Sequence, residues 1–497
     1  MDRTAVTPLL ALLVPLVGTA GMLALRHRRN ARELCAIAAG LVQFVLVATM
    51  VPTVVDGGTI SFTALTFLPE APIELRVDAL GVVLAGTASV LWVLTTVYAM
   101  GYLGTGPERA LTRFHVGFAL TMVATIGAAF AANLVTLYLF YEALTIVTYP
   151  LVTHARTPAA MQGGRRYLAY QLGSGVAFFL PAIVLTYTMS GSFDLVRGGV
   201  FDADESSALL VVVYGLYLFG IAKAALMPVH AWLPAAMVAP IPVSALLHAV
   251  AVVNVGVFCV FRVVLDVFGS DLVGELHLGA VTLVITSATI LLASGYALRL
   301  DNLKGILAYS TIGQLSYMIL GVALLTEAGR TGGMLHLVGH AFSKITLFFA
   351  VGSIYVGAHR TAASELRGIG RRMPWTMAAF TLGALSIIGM PPTVGFLAKY
   401  FLFLGAAEAG QWIIIVVLAG STLLSAGYYL RVLRTAFSDA ATLVPSGGAG
   451  DEHQLPDRSV NESSALIIVP MAITAAMTVL LSVGAGPLLK LIRAAAG

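Results

Sequence analysis

The chain is predicted to be an all-α polytopic membrane protein, on three observations. Its 497 residues are 59% hydrophobic and only 10% charged, whereas soluble domains carry about 25% charged residues. Mean hydropathy is +0.92. About fourteen stretches reach the roughly 20 apolar residues that a bilayer crossing needs.

In chain order the spans are expected at 7–25, 33–54, 78–101, 111–130, 132–153, 167–189, 208–233, 241–265, 277–298, 304–325, 332–357, 374–406, 411–436 and 464–492. Span one lacks a basic leader, and its Arg/His run follows it, so it reads as a span rather than a signal peptide. Span seven contains Lys223 and then Met227-Pro228. Span twelve contains Gly389-Met390-Pro391-Pro392, then Gly395 and Lys399. Proline removes a backbone donor inside a membrane helix, and the freed carbonyls need protein or water. These two long spans are five apart in the count and therefore cross in opposite directions. Broken helices at matching places in oppositely oriented halves are the signature of inverted repeats. The halves are placed at spans four to eight and nine to thirteen, about 111–265 and 277–436. The Gly-, Ser- and acid-rich segment 438–462 reads as a flexible cytoplasmic connector, so the chain forms one transmembrane domain.

Loop charge sets the orientation, because cytoplasmic loops carry excess Lys and Arg. Arg26, Arg28, Arg29 and Arg32, then Arg109 and Arg113, then Arg156, Arg165 and Arg166 face one side. Arg299, Lys304, Arg360, Arg367, Arg371, Arg372, Arg431 and Arg434 continue that pattern. The opposite loops carry Asp56, Glu70, Glu74, Asp194, Asp202, Asp204, Glu205, Asp266, Asp271 and Glu275, with Arg262 and Arg330 as exceptions. Both termini are expected on the outer side of a bacterial inner membrane.

The net charge of +4 is spread through loops and gives no argument for nucleic acid. Cys35 and Cys259 lie in different spans without a CxxC pattern and cannot ligate an iron–sulfur cluster. HLVGH (336–340) has the histidine spacing of a zinc-protease helix but lacks its glutamate. No phosphate-binding glycine loop or nucleophile–base pair is present. No cofactor and no metal are expected, and the chain by itself has no means of hydrolysing ATP or handling electrons.

Seven ionisable side chains carry the functional signal: Glu142, Lys223, His248, His336, His340, Lys344 and Lys399, all within apolar spans. Such groups are expensive in hydrocarbon and mark ion pathways or proton relays. Glu142, with no basic residue in its own helix, calls for a lysine from another span or is a structural carboxyl. Lys223 lies too deep to snorkel easily. His336, His340 and Lys344 are spaced i, i+4, i+8 and share one helix face, which suits a relay. His248 alone also reads as a structural histidine, and Lys399 reads as a pathway residue, with snorkelling to the outer interface as the alternative.

These residues sit in RVDALGVVL (76–84), FYEALTIVTYPLVTH (140–154), KAALMPVHAWLPAAMVAPIPVSALLHA (223–249), DNLKGILAYSTIGQLSYMILG (301–321), HLVGHAFSKITLFF (336–349) and GMPPTVGFLAKY (389–400). With them the chain resembles the antiporter-like subunits shared by respiratory complex I, the multisubunit Mrp cation/proton antiporters and membrane-bound hydrogenases. Within that superfamily the pattern looks most like the Mrp D-type subunits, and no long lateral helix is expected after span fourteen. The resemblance implies fourteen helices with two inverted five-helix repeats. It also implies that Glu142 pairs with Lys223 in one half-channel, that His336, His340 and Lys344 form the central polar axis, and that Lys399 closes the second half-channel. Many members carry a lysine in span eight where this chain, in VVNVG, has Asn254. The expected function is translocation of protons, or of a cation against protons, within a multisubunit membrane complex. Protons, Na⁺, other membrane subunits and the lipid bilayer are the expected partners. The alternatives are a pumping subunit of a complex I-like oxidoreductase or hydrogenase, and a non-conducting scaffold. A self-sufficient Na⁺ antiporter is disfavoured because no carboxylate cluster offers the oxygen ligands that this hard ion prefers.

Overall fold

The computed structural model describes residues 3–66, 70–104, 108–202, 205–438 and 460–496. The expected connector 438–462 lies outside these except at its two ends, as do Asp204 and the side chain of Arg109. Among the described residues, twelve helices are long and apolar enough to cross a membrane. Spans one to six are Thr7–Ala24, Arg29–Val55, Ala79–Tyr102, Ala110–Ala129, Leu134–Val152 and Pro158–Ser190. Spans eight to eleven are Ile241–Val267, Leu278–Arg299, Leu303–Ala323 and Glu327–Ala358, and spans thirteen and fourteen are Trp412–Phe437 and Ala465–Val483. The two missing from this set are spans seven and twelve, in which proline follows or precedes a lysine near the middle. Span seven is helical over Ser207–Gly220 and then runs through short turns to Val238. Span twelve is split into Pro374–Ile388 and Val394–Glu408.

Local chemistry sets where the helices begin. Asp78, Asn133, Asn302 and Thr326 each accept a hydrogen bond from the backbone N–H three residues on, capping spans three, five, ten and eleven. The first piece of span twelve ends at Gly389, whose φ of +90° suits a residue without Cβ.

Spans eight and eleven are buried along their whole apolar windows and span ten along 94% of its window, whereas spans one, two, six and fourteen are 33% buried. The spans holding His248, Asn254, His336, His340 and Lys344 therefore form the middle of the bundle. Both repeats have their fourth span broken, with a lysine beside the break.

Several details differ from the sequence reading. Span fourteen stops at Val483 rather than 492, and a second helix, Ala485–Ala496, packs on spans three and eleven. The chain turns at Gly484, and the helix beyond it buries Ile492, Ala495 and Ala496. Arg32 is no loop residue: it lies inside span two, wholly buried, and donates to Thr112 at 3.0 Å. A small sheet joins β1 (Arg3–Thr4), β2 (Ile60–Leu65) and β3 (Ile73–Val77), parallel between β1 and β2 and antiparallel between β2 and β3. It places the amino terminus on the face of the 56–78 loop. Arg197 donates to the Ala495 carbonyl on that face too, so both ends of the chain lie on one side. The two charge exceptions are accounted for there. Arg262 bridges Asp78 at 2.5 Å and Asp266 at 2.7 Å, and Arg330 donates to Ser270 at 2.9 Å.

Candidate functional site

Lys223 sits in the irregular turn Ala222–Ala224, fully buried. Its Nζ donates to Thr145 Oγ1 at 2.6 Å and lies 3.3 Å from the centroid of the Tyr141 ring. The Lys223 backbone N–H donates to Tyr141 Oη at 3.3 Å, and that hydroxyl donates in turn to the Gly220 carbonyl at 3.4 Å. Trp232 Nε1 donates to the Ala222 carbonyl at 2.8 Å, so carbonyls freed by the break find partners. Gly256 of span eight packs on the Lys223 backbone so closely that a Cβ there would meet main-chain atoms.

Glu142 follows Tyr141 on span five and is half-buried. Neither carboxylate oxygen has a hydrogen-bond partner among the described residues, and no ion pair within 4.0 Å joins it to Lys223. The structure thus places the two on neighbouring elements without direct pairing. Glu142 instead presses against Gly175, the first residue of a π-helical turn, Gly175–Phe179, in span six. Such turns shift the register of a helix and are frequent at functional sites.

Span eight carries a π-helical turn over Leu246–Val250, with His248 fully buried inside it. Neither ring nitrogen of His248 has a partner among the described residues, and the ring lies 5.2 Å from that of Phe348. Asn254 turns its amide back: Nδ2 donates to the Ala249 carbonyl at 2.8 Å, while Oδ1 has no partner among those residues.

On span eleven, His336, His340 and Lys344 are all buried. His336 Nε2 lies 2.8 Å from Gln314 Oε1, and its ring stacks at 5.6 Å on Tyr317 and at 6.3 Å on His340. Neither ring nitrogen of His340 has a hydrogen-bond partner among the described residues. Lys344 Nζ donates to the Leu307 carbonyl at 3.2 Å and to Tyr429 Oη at 3.1 Å. Tyr429 shares Ser310 with Tyr428, which also reaches Ser425. The expected stripe is therefore one face of closely placed groups, not a chain of direct hydrogen bonds. His248 is an electrostatic neighbour of both His340 and Lys344.

Lys399 does not snorkel. It is 4% exposed, and its Nζ donates to the Ile388 carbonyl at 2.9 Å and to Thr422 Oγ1 at 3.1 Å. Ile388 is the last residue before the break in span twelve. The amine also lies 4.9 Å from the Tyr317 ring. The halves thus repeat a motif: the lysine of the broken fourth span lies over a tyrosine of the second span. Tyr141, Thr145, Gln314, Tyr317, Thr422 and Tyr429 were not found from the sequence, because a search for buried charge passes over neutral partners. Among the described residues, no three of His, Cys, Asp and Glu gather as a metal-ligand set.

Residues 131–425 match the family model for the transmembrane region of NADH:quinone oxidoreductase/Mrp antiporter proteins. The chain belongs to this family. NADH-quinone oxidoreductase subunit N of Desulforudis audaxviator (strain MP104C) is 31% identical over 486 residues, covering 95% of this antiporter-like chain and 94% of that protein. A probable K(+)/H(+) antiporter subunit of Rhizobium meliloti (strain 1021) is 30% identical over 77% of the chain, which spans only 38% of that longer relative. A chain in the Mrp complex from Dietzia sp. DQ12-45-1b shares the fold with a TM-score of 0.85 at 23% identity, over 98% of this chain and 97% of that one. All seven candidate residues fall within the matched region.

Proposed function

We propose that this antiporter-like subunit moves protons through its buried Glu, Lys and His side chains, as one membrane subunit of an Mrp-type Na⁺/H⁺ antiporter in a bacterial inner membrane. The observation that carries this reading is the repeated lysine-over-tyrosine site, Lys223 on Tyr141 and Lys399 on Tyr317, together with the buried stripe His336, His340 and Lys344. A buried amine held only by neutral oxygens and a ring face exchanges its proton in response to a moving carboxylate or cation. The groups titrate as a set rather than singly. The loop-charge pattern supports an arginine-rich cytoplasmic face and both termini outside. The domain reading is one transmembrane unit with half-channels over about 111–265 and 277–436. Energy comes from elsewhere in the assembly.

A second reading, a pumping subunit in the membrane arm of a complex I-like oxidoreductase, is favoured by the end-to-end match to a subunit N. Proteoliposomes holding the purified complex separate the two. Na⁺-driven proton movement that Lys223→Ala and Lys399→Ala abolish supports the antiporter. Proton movement only on addition of a reductant and a quinone supports the second reading, and an unaltered rate in both variants leaves the chain a scaffold.

A further inference from the structure

At the arginine-rich end of span thirteen, two adjoining hollows share Arg431 and Arg434. One runs up the outer surface of the bundle along Leu430, Leu433 and Phe437, and the other reaches Ser364 and Arg367 in the loop before span twelve. Leu430, 51% exposed and one turn inward of Arg434, extends an apolar face that includes Ile413, Val416 and Leu423 farther up the same helix, while Phe437 lies one turn outward at the helix end. The groove is therefore apolar at membrane depth and cationic at its mouth.

The two ends differ in how their charges are used. Arg431 is committed to the fold, donating to the carbonyls of Leu298 at 2.9 Å and Leu300. The guanidinium groups of Arg367 and Arg434 make no hydrogen bond or ion pair among the described residues, although both line the mouth. Among the described residues, the nearby acids are engaged elsewhere. Asp301 accepts from the Ser364 N–H at 3.0 Å and hydroxyl at 2.6 Å, and Glu365 accepts from the N–H groups of Thr361 and Ala362 at 3.0 and 2.9 Å. Guanidinium matches phosphate in charge and geometry, and basic pockets at membrane-helix ends recognise anionic lipid headgroups.

We propose that this groove holds one anionic phospholipid, its phosphodiester between Arg367 and Arg434 and one acyl chain running from Leu430 toward Leu423. The charges sit at the interface and the apolar wall begins one turn above them, which is the layout of a lipid rather than of a free ion. The site is independent of the transport reading.

The test is native mass spectrometry of the intact complex, extracted from nanodiscs of phosphatidylcholine containing phosphatidylglycerol. The native complex is expected to retain one more phosphatidylglycerol than the Arg367→Gln/Arg434→Gln complex. Leu430→Trp, which fills the apolar part without altering charge, is expected to lose the same lipid. Equal retention in native and double variant overturns the proposal. So does loss in the arginine variant with full retention in Leu430→Trp, or displacement by inorganic phosphate, either of which marks an ion site. A neighbouring subunit seen over Leu430 and Leu423 in a map of the complex also overturns it.

Discussion

Gly175 leaves the space that the carboxylate of Glu142 occupies: a Cβ on Gly175 would lie far inside van der Waals contact with Glu142 Oε1. The contact joins the acid of span five to the first residue of the π-helical turn in span six. Any change in that turn moves the wall against which Glu142 rests, and so its distance from Lys223. Gly175→Ala should displace Glu142 and slow proton movement in reconstituted vesicles at least tenfold while the complex still assembles. Transport at the native rate in Gly175→Ala would show that the carboxylate's position does not matter.

Lys223 reaches Thr145 and the Tyr141 ring rather than Glu142 directly. Lys223→Ala and Glu142→Ala should each abolish transport without loss of assembly. Thr145→Val deletes one hydrogen bond to a charged group, worth about 1.5–3 kcal/mol, and should slow transport roughly tenfold to a hundredfold. The check is dye-reported acidification in vesicles. If both Lys223→Ala and Glu142→Ala transport normally, the first half-channel is misassigned.

The central stripe gives an ordering. Lys344 holds the only amine of the stripe and joins spans ten and thirteen through Leu307 and Tyr429. Lys344→Met should block transport more severely than His336→Ala or His340→Ala, because water replaces a missing relay group more readily than a missing charge. Gln314→Leu, which leaves His336 without its 2.8 Å partner, should resemble His336→Ala. Dead histidine variants beside a fully active Lys344→Met would refute the relay.

Asn254 cannot store a proton near neutral pH, and its amide is turned to the Ala249 carbonyl. His248, earlier in the same span, should therefore carry the link to Lys344. His248→Ala should impair transport, and adding Asn254→Lys should restore part of it. An active His248→Ala, with no water near Asn254 in a high-resolution map, would take span eight out of the pathway.

His154 lies in the turn after span five, and burial together with Arg113 and Arg156 pushes its pKa from 6.5 down to about 4. The folded protein therefore binds fewer protons here than the unfolded chain between pH 6.5 and about 4. The linked stability is fully present above pH 6.5 and is lost as pH falls through that window. Melting of the native protein in nanodiscs should fall more steeply across it than melting of His154→Gln. Parallel curves would count against His154 as a contributor.

The sequence alone determined the solvent, the number of spans and the two broken helices. Those features are local: apolar runs of bilayer length, and proline beside lysine at 223–228 and 389–399. It also picked out the seven charges, since an ionisable group in an apolar run stands out without any knowledge of its neighbours. What it left open depends on packing between distant segments. That Lys399 turns inward to Ile388 and Thr422 was decided by where span thirteen lies, 23 residues away along the chain. That Lys223 rests on Tyr141 and Thr145, while Glu142 rests on Gly175, was decided by how spans five, six and seven meet. Neutral partners such as Gln314 and Tyr429 carry no charge to reveal them in an apolar run, and only the assembled bundle brings them within hydrogen-bond reach.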